Sequence, residues 1–119
     1  MRRKGRGARR EVSPELLARV AERFRALAEP ARLAILHALE EGERTVSDLV
    51  EETDMAQGNL SKHLQQLFAA GLVSRRREGL FVHYSLADGD VLALCELMCG
   101  RLEGEVEAAR AMLGSRRAS

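Results

Sequence analysis

Apolar residues recur at helical spacing in five stretches of this chain, and a short alternating hairpin precedes the last of them. The pattern predicts a mainly α fold with one small β-hairpin. The first stretch opens at Ser13-Pro14, an N-cap followed by proline at the first helical position. Leu16, Leu17, Val20, Phe24 and Leu27 then make one stripe. Glu29-Pro30 ends that helix and begins a second, which carries Leu33, Ile35, Leu36 and Leu39, runs to about Glu41 and stops at Gly42. Thr45-Val46-Ser47-Asp48 reads as a third start, with Thr45 as N-cap and an acidic residue three positions on. Val46, Leu49 and Val50 give that short helix a buried side, and Asp54-Met55-Ala56 is a turn. A fourth helix covers about residues 57–70 and is closed by Gly71, with Leu60, Leu64, Leu67 and Phe68 facing inward. The hairpin pairs residues 72–78 with 80–86 across Gly79. Asp88 opens a last helix that reaches about residue 113, with Val91, Cys95, Met98, Cys99, Leu102, Val106, Ala109 and Leu113 as its stripe.

Chemistry concentrates on the fourth helix and the hairpin. At about 100° per residue, Lys62 points most directly away from the buried stripe. Gly58, Asn59, Gln65 and Gln66 flank it, and His63 lies at the edge of the buried face. An amide-rich face with one cation suits base edges and phosphates. Arg75, Arg76 and Arg77 follow on the hairpin, where three consecutive arginines beside such a helix read as a DNA-binding wing. Taken alone they would slightly favour a solvated ribbon whose charges protect an edge strand. Joined to the two preceding helices, they give a winged helix-turn-helix of about five helices and a two-stranded wing. Gln57, Gly58, Asn59, Ser61 and Lys62 are then the major-groove set, with His63 beside them and Arg75, Arg76 and Arg77 on the backbone or minor groove.

Three blocks carry a resemblance. Ala26-Leu27-Ala28-Glu29-Pro30-Ala31-Arg32-Leu33-Ala34-Ile35-Leu36, then Gln57-Gly58-Asn59-Leu60-Ser61-Lys62-His63-Leu64, then Ala70-Gly71-Leu72-Val73 before the basic hairpin, resemble the ArsR/SmtB family of small winged-helix bacterial repressors. The similarity covers roughly residues 15–113. It implies a homodimer, built through the first and last helices, on double-stranded operator DNA whose affinity changes with a bound metal, metalloid or oxidant. The chain departs from the family in its sensing residues. A thiolate site before the recognition helix would need cysteines near residues 45–49, and there are none. The zinc-type site on the last helix would need aspartate and histidine together, and that helix follows Asp88 and Asp90 without any histidine. Ala56 stands where the family usually has a hydroxyl cap, so the cap falls to Asp54 or the helix starts about 1 kcal/mol weaker.

Composition narrows the picture further. With 119 residues, 45% of them apolar and only 3% aromatic, the chain makes one small domain with a core of Leu, Val, Ala and Met, and dimerisation is a natural supplement. No run is long and apolar enough for a membrane span or a signal peptide, so a cytoplasmic protein is expected. The net charge of +1 conceals an asymmetry: residues 1–10 hold six basic side chains and no acidic ones, leaving the rest 13 basic and 18 acidic. Residues 1–12 read as a disordered basic arm that lies along phosphates or is merely solvated, 13–113 as the DNA-binding and dimerisation domain, and 114–119 as a frayed tail.

Cys95 and Cys99 are the remaining reactive groups. Four residues apart, they sit one above the other on one helix face and can offer two thiolates to zinc or to trivalent arsenic as arsenite, with a third ligand from elsewhere. Near a two-fold axis they can also form an intersubunit disulfide, whereas a bond between the two themselves is disfavoured by Cβ atoms about 5–6 Å apart. The alternative is dimer-interface packing by two small hydrophobes, without metal or redox sensing. His37 reads as a surface or half-buried helix residue rather than a ligand, since no His or Cys lies one turn away. A thiol redox enzyme using His63 or His83 lacks any histidine oriented on a cysteine, so no catalytic residues are assigned. A winged helix that contacts only proteins is disfavoured by the basic wing and amide face.

Overall fold

Ser13 starts the first helix through its side chain, whose hydroxyl accepts the Leu16 N–H at 3.1 Å, with Pro14 in the first turn. The computed structural model describes residues 10–118, so most of the expected basic arm, residues 1–9, lies outside the described residues. Helix α1 spans Pro14–Leu27 and α2 spans Pro30–Ala38. Arg32 locks the corner between them: its Nε donates to the Ala26 carbonyl at 2.6 Å and a terminal nitrogen to that of Arg25 at 3.4 Å. A basic side chain thereby satisfies carbonyls that a helix end leaves open. A 3₁₀ turn, Leu39–Glu41, tightens the end of α2.

The sheet has three antiparallel strands rather than the expected two. A short β1, Arg44–Thr45, precedes α3 (Val46–Thr53). After α4 (Gln57–Ala69), the wing is β2 (Val73–Glu78) and β3 (Phe81–Leu86), and the order is β1-β3-β2. Two residues show no alternation, and Thr45 serves both as the last residue of β1 and as the cap of α3. Its pattern signal was therefore absorbed by the helix start.

Gly71 closes α4 at φ 78°. Its N–H bonds the Phe68 carbonyl at 3.0 Å, and the Leu72 N–H reaches back to Leu67 at 2.9 Å. These paired bonds form a Schellman motif, which delivers the chain into β2.

The core is built from Ile35, Leu36, Leu39, Leu49, Leu60, Leu64, Leu67, Leu72, Val73 and Tyr84, drawn from α2, the 3₁₀ turn, α3, α4 and the sheet. Phe68, expected to face inward, lies at the rim with its ring exposed.

The last helix, α5, spans Asp90–Ala118. Asp88 lies just before it and accepts the Asp90 N–H at 2.9 Å. The helix continues past residue 113 through most of the segment expected as a tail. A single glycine, Gly114, costs only about 1 kcal/mol inside a helix and need not end one. Val91 packs on the core, but every described side chain from residue 96 to 114 is exposed. Leu16, Leu17, Val20 and Phe24 of α1 are exposed as well. The radius of gyration is 19.2 Å, against about 13–14 Å for a compact domain of this length. Both end helices therefore project apolar surface away from the body. Among the described residues, no helix is long and apolar enough to cross a membrane.

Candidate nucleic-acid interface

The α3–turn–α4 unit is set by local bonds. Thr45 Oγ1 accepts the Asp48 N–H at 3.1 Å, and the Asp48 carboxylate accepts the Thr45 N–H at 3.0 Å. This reciprocal cap holds the Asp48 carboxyl below its ordinary range, through the backbone bond first and the hydroxyl bond second. Asp54 ends α3 at φ 61°, a left-handed conformation that aspartate tolerates better than most side chains. It is thus the C-cap of α3, and no side chain caps α4. The first intrahelical acceptor in α4 is the Ala56 carbonyl, bonded by Leu60 at 2.9 Å. The N–H groups of Gln57, Gly58 and Asn59 therefore have no partner within the helix.

Gln57, Gly58, Asn59, Ser61, Lys62, Gln65 and Gln66 are all exposed on the outward side of α4. Among the described residues, none of their side chains is engaged in a hydrogen bond or ion pair within the chain. His63 is placed differently. It is half-buried, with Nδ1 3.5 Å from a terminal nitrogen of Arg32. It faces the α1–α2 corner rather than the solvent beyond α4.

The three arginines of the wing have three different surroundings. Arg75 lies opposite Tyr84 and carries its guanidinium over the Phe68 ring, 3.9 Å from the centroid. Arg76, opposite His83, makes two bonds to Glu43 at 2.7 and 2.9 Å and a third to Glu78 at 3.1 Å. These bonds hold Glu43 below its ordinary carboxylate range and Arg76 above its ordinary value. Arg77 is exposed and has no side-chain partner among the described residues. The turn is Gly79-Leu80, with Gly79 at φ 63°. Leu80 is 92% exposed at the tip. Sequence reading missed Glu43, because a lone glutamate before a strand gives no sign of a partner on another strand.

The cysteines lie apart from this face, on α5. Cys95 is half-buried and Cys99 exposed, and both are free thiols. Burial pushes the Cys95 thiol up, and Cys99 and Glu96 add to it. Among the described residues no third donor joins them, so within one chain the pair does not complete a metal or metalloid site.

A profile of the family described as "Bacterial regulatory protein, arsR family" matches residues 29–75, from the start of α2 into β2. The arsenical resistance operon repressor of Bacillus subtilis is 37% identical over 92 residues, which span 75% of this chain and 88% of that protein. The chain belongs to the ArsR family. This makes it a DNA-binding transcriptional regulator of the ArsR/SmtB type. Another member, the repressor SmtB of Mycobacterium tuberculosis, is 45% identical over 74 residues, 62% of this chain and 55% of that one. The fold agrees with a solution structure from Mycobacterium bovis, the homodimeric winged helix-turn-helix DNA-binding domain of Mb0332. The TM-score is 0.73 with 36% identity, covering 85% of this chain and 94% of that one.

Proposed function

We propose that this ArsR-family chain is a homodimeric repressor that lays α4 in the major groove of operator DNA. The outward face of α4 carries this reading, since its amide, hydroxyl and amino groups are exposed and unspent among the described residues and its first N–H groups lack acceptors within the helix. Open N–H groups at a helix start favour a phosphate. Gln57 and Asn59 have the side chains that bond adenine in pairs, Ser61 adds a hydroxyl, and Lys62 adds charge against the backbone. Gly58 lets the backbone of α4 come close. On the wing, Arg77 takes a phosphate directly, Arg75 is steered by Phe68, and Arg76 reaches the duplex only by releasing Glu43. His63 supports the helix from behind.

The exposed apolar faces of α1 and α5 support the dimer, as does the homodimeric M. bovis structure. Two copies would set their α4 helices on half-sites about one helical turn, 34–36 Å, apart. The test is binding to a duplex carrying the protein's own upstream region and to an unrelated duplex. Asn59→Ala should cost about 1–3 kcal/mol on the first and little on the second. Equal losses on both would remove the base-reading role.

The signal is proposed to act at Cys95 and Cys99 in a cytoplasm that keeps thiols reduced. The exposure of Cys99, its position one turn from Cys95, and the likeness to an arsenical resistance repressor support arsenite or zinc, with a further ligand from the second subunit. The bound species would draw the two thiolates together and hold α5 against its partner. DNA binding would be measured with reduced protein, then with arsenite, zinc and a mild oxidant, in the wild type and in Cys95→Ser/Cys99→Ser. Release of the wild type alone assigns the sensor. Identical behaviour makes the cysteines interface packing.

A further inference from the structure

We propose a second cation site, built from His37, Glu40 and Glu96, for a divalent ion of the zinc class. One ligand atom from each lies within 4.8 Å of the other two. The three come from separate elements: the end of α2, the 3₁₀ turn and the beginning of α5. His37 Nδ1 is 3.3 Å from a Glu40 carboxylate oxygen. Only the folded chain brings Glu96 to them.

The charges around the group favour a bound cation. Among the described residues, no arginine or lysine pairs with Glu40 or Glu96. The neighbouring Glu41 and Glu52, by contrast, are engaged by Arg44 at 3.8 and 3.4 Å. Two carboxylates that converge with only a neutral histidine beside them repel each other, and a cation among the three relieves the repulsion. A cleft of about 430 Å³ opens beside His37 and Glu40, and Glu41 and Glu52 also line it.

The donor set chooses the ion. One imidazole and two carboxylates suit zinc and its neighbours, with water in the fourth position. Calcium and magnesium need six or more oxygens and are less well served. Zinc bonds of about 2.0–2.2 Å place tetrahedral ligand atoms about 3.4 Å apart. The three exposed side chains therefore need to close by little more than an ångström, which rotamer changes supply. The ion would pin the base of α5 to the body at a junction otherwise held around Val91. The site shares no ligand with the thiol pair, although Glu96 adjoins Cys95, and it does not depend on DNA binding.

The test uses full-length, metal-free Cys95→Ser/Cys99→Ser protein titrated with cobalt(II), followed by visible absorption, with zinc added afterwards as competitor. One cobalt ion per chain should bind, without a sulfur charge-transfer band, and zinc should displace it. His37→Gln and Glu96→Gln should each weaken binding by at least about ten-fold, since changing even an outer partner of a ligand costs roughly 10–100-fold. Glu41→Gln, next to the site but committed to Arg44, should leave the affinity unchanged. All three substituted side chains are exposed, and circular dichroism should overlay for every variant. Absence of cobalt binding, or His37→Gln and Glu96→Gln proteins that bind like the parent, would overturn the proposal. So would an equal loss from Glu41→Gln.

Discussion

Arg76 and Glu43 are joined by two bonds of 2.7 and 2.9 Å, which tie the outer strand of the wing to the residue just before β1. The middle arginine of the wing is therefore a strut in the free protein, while Arg77 beside it has no side-chain partner among the described residues. Arg77→Ala should lower the slope of log affinity against log salt by about 0.9, the value of one released counterion. Arg76→Ala should change that slope less. Glu43→Gln, which loosens the strut and frees Arg76, should raise affinity for any duplex at low salt. Salt titrations of the three variants on one DNA check the set.

Two carboxyls contribute to the response to acid. Glu43 is held low chiefly by its bond to Arg76, and Asp48 chiefly by the Thr45 backbone. A depressed folded-state pKa gives stability that is fully present above the unfolded value and lost as pH falls through the folded one. Urea midpoints should therefore be flat above about pH 5 and decline below it. Thr45→Ala should cost about 1 kcal/mol at neutral pH, and both it and Asp48→Asn should make the acid decline shallower.

Two glycines should respond in opposite ways to alanine. At Gly58 a new Cβ would meet nothing within 4 Å, whereas at Gly71 it would come 2.8 Å from the Arg23 guanidinium, on a backbone at φ 78°. Gly58→Ala should therefore stabilise the fold by about 0.5–1 kcal/mol while weakening operator binding. Gly71→Ala should destabilise by more than about 1 kcal/mol through the strained C-terminal turn of α4. Thermal unfolding and DNA affinity, measured on the same samples, separate the two effects.

The apolar faces of the end helices should fail together. A charge at Leu102, as in Leu102→Glu, forfeits about 1.5–3 kcal/mol of burial per side chain, twice over in a symmetric dimer. The dimer dissociation constant should rise by about two to four powers of ten. Sedimentation velocity at micromolar concentration should then report monomer with an unchanged circular dichroism spectrum. A dimer of unchanged strength would place the interface elsewhere.

What could be read from the sequence was written locally. Ser13-Pro14, the Thr45–Asp48 cap and Gly71 all act within a few residues of themselves, so residue type and spacing determine them. The outward face of α4 was legible for the same reason, because periodicity alone separates Lys62 from Leu60 and Leu64. The wing arginines were not separable in this way. Three identical side chains in a row carry no information about which meets Phe68, which meets Glu43 and which meets no side chain among the described residues. Arg32 under His63, and His37 beside Glu96, are likewise meetings of distant segments, invisible until the helices are placed. The two residues of β1 were too few to show a period.

The length of α5 has a mechanical consequence. From Val91, where it rests on the core, to Leu113 it runs about 33 Å at 1.5 Å per residue. A rotation of only about 10° at that base swings the far end by about 6 Å, nearly two base-pair steps of 3.4 Å. In the proposed dimer, a small adjustment where α5 leaves the body would become a change in the distance between the two α4 helices. Operator fit would then depend on how stiffly the base of α5 is held at Val91.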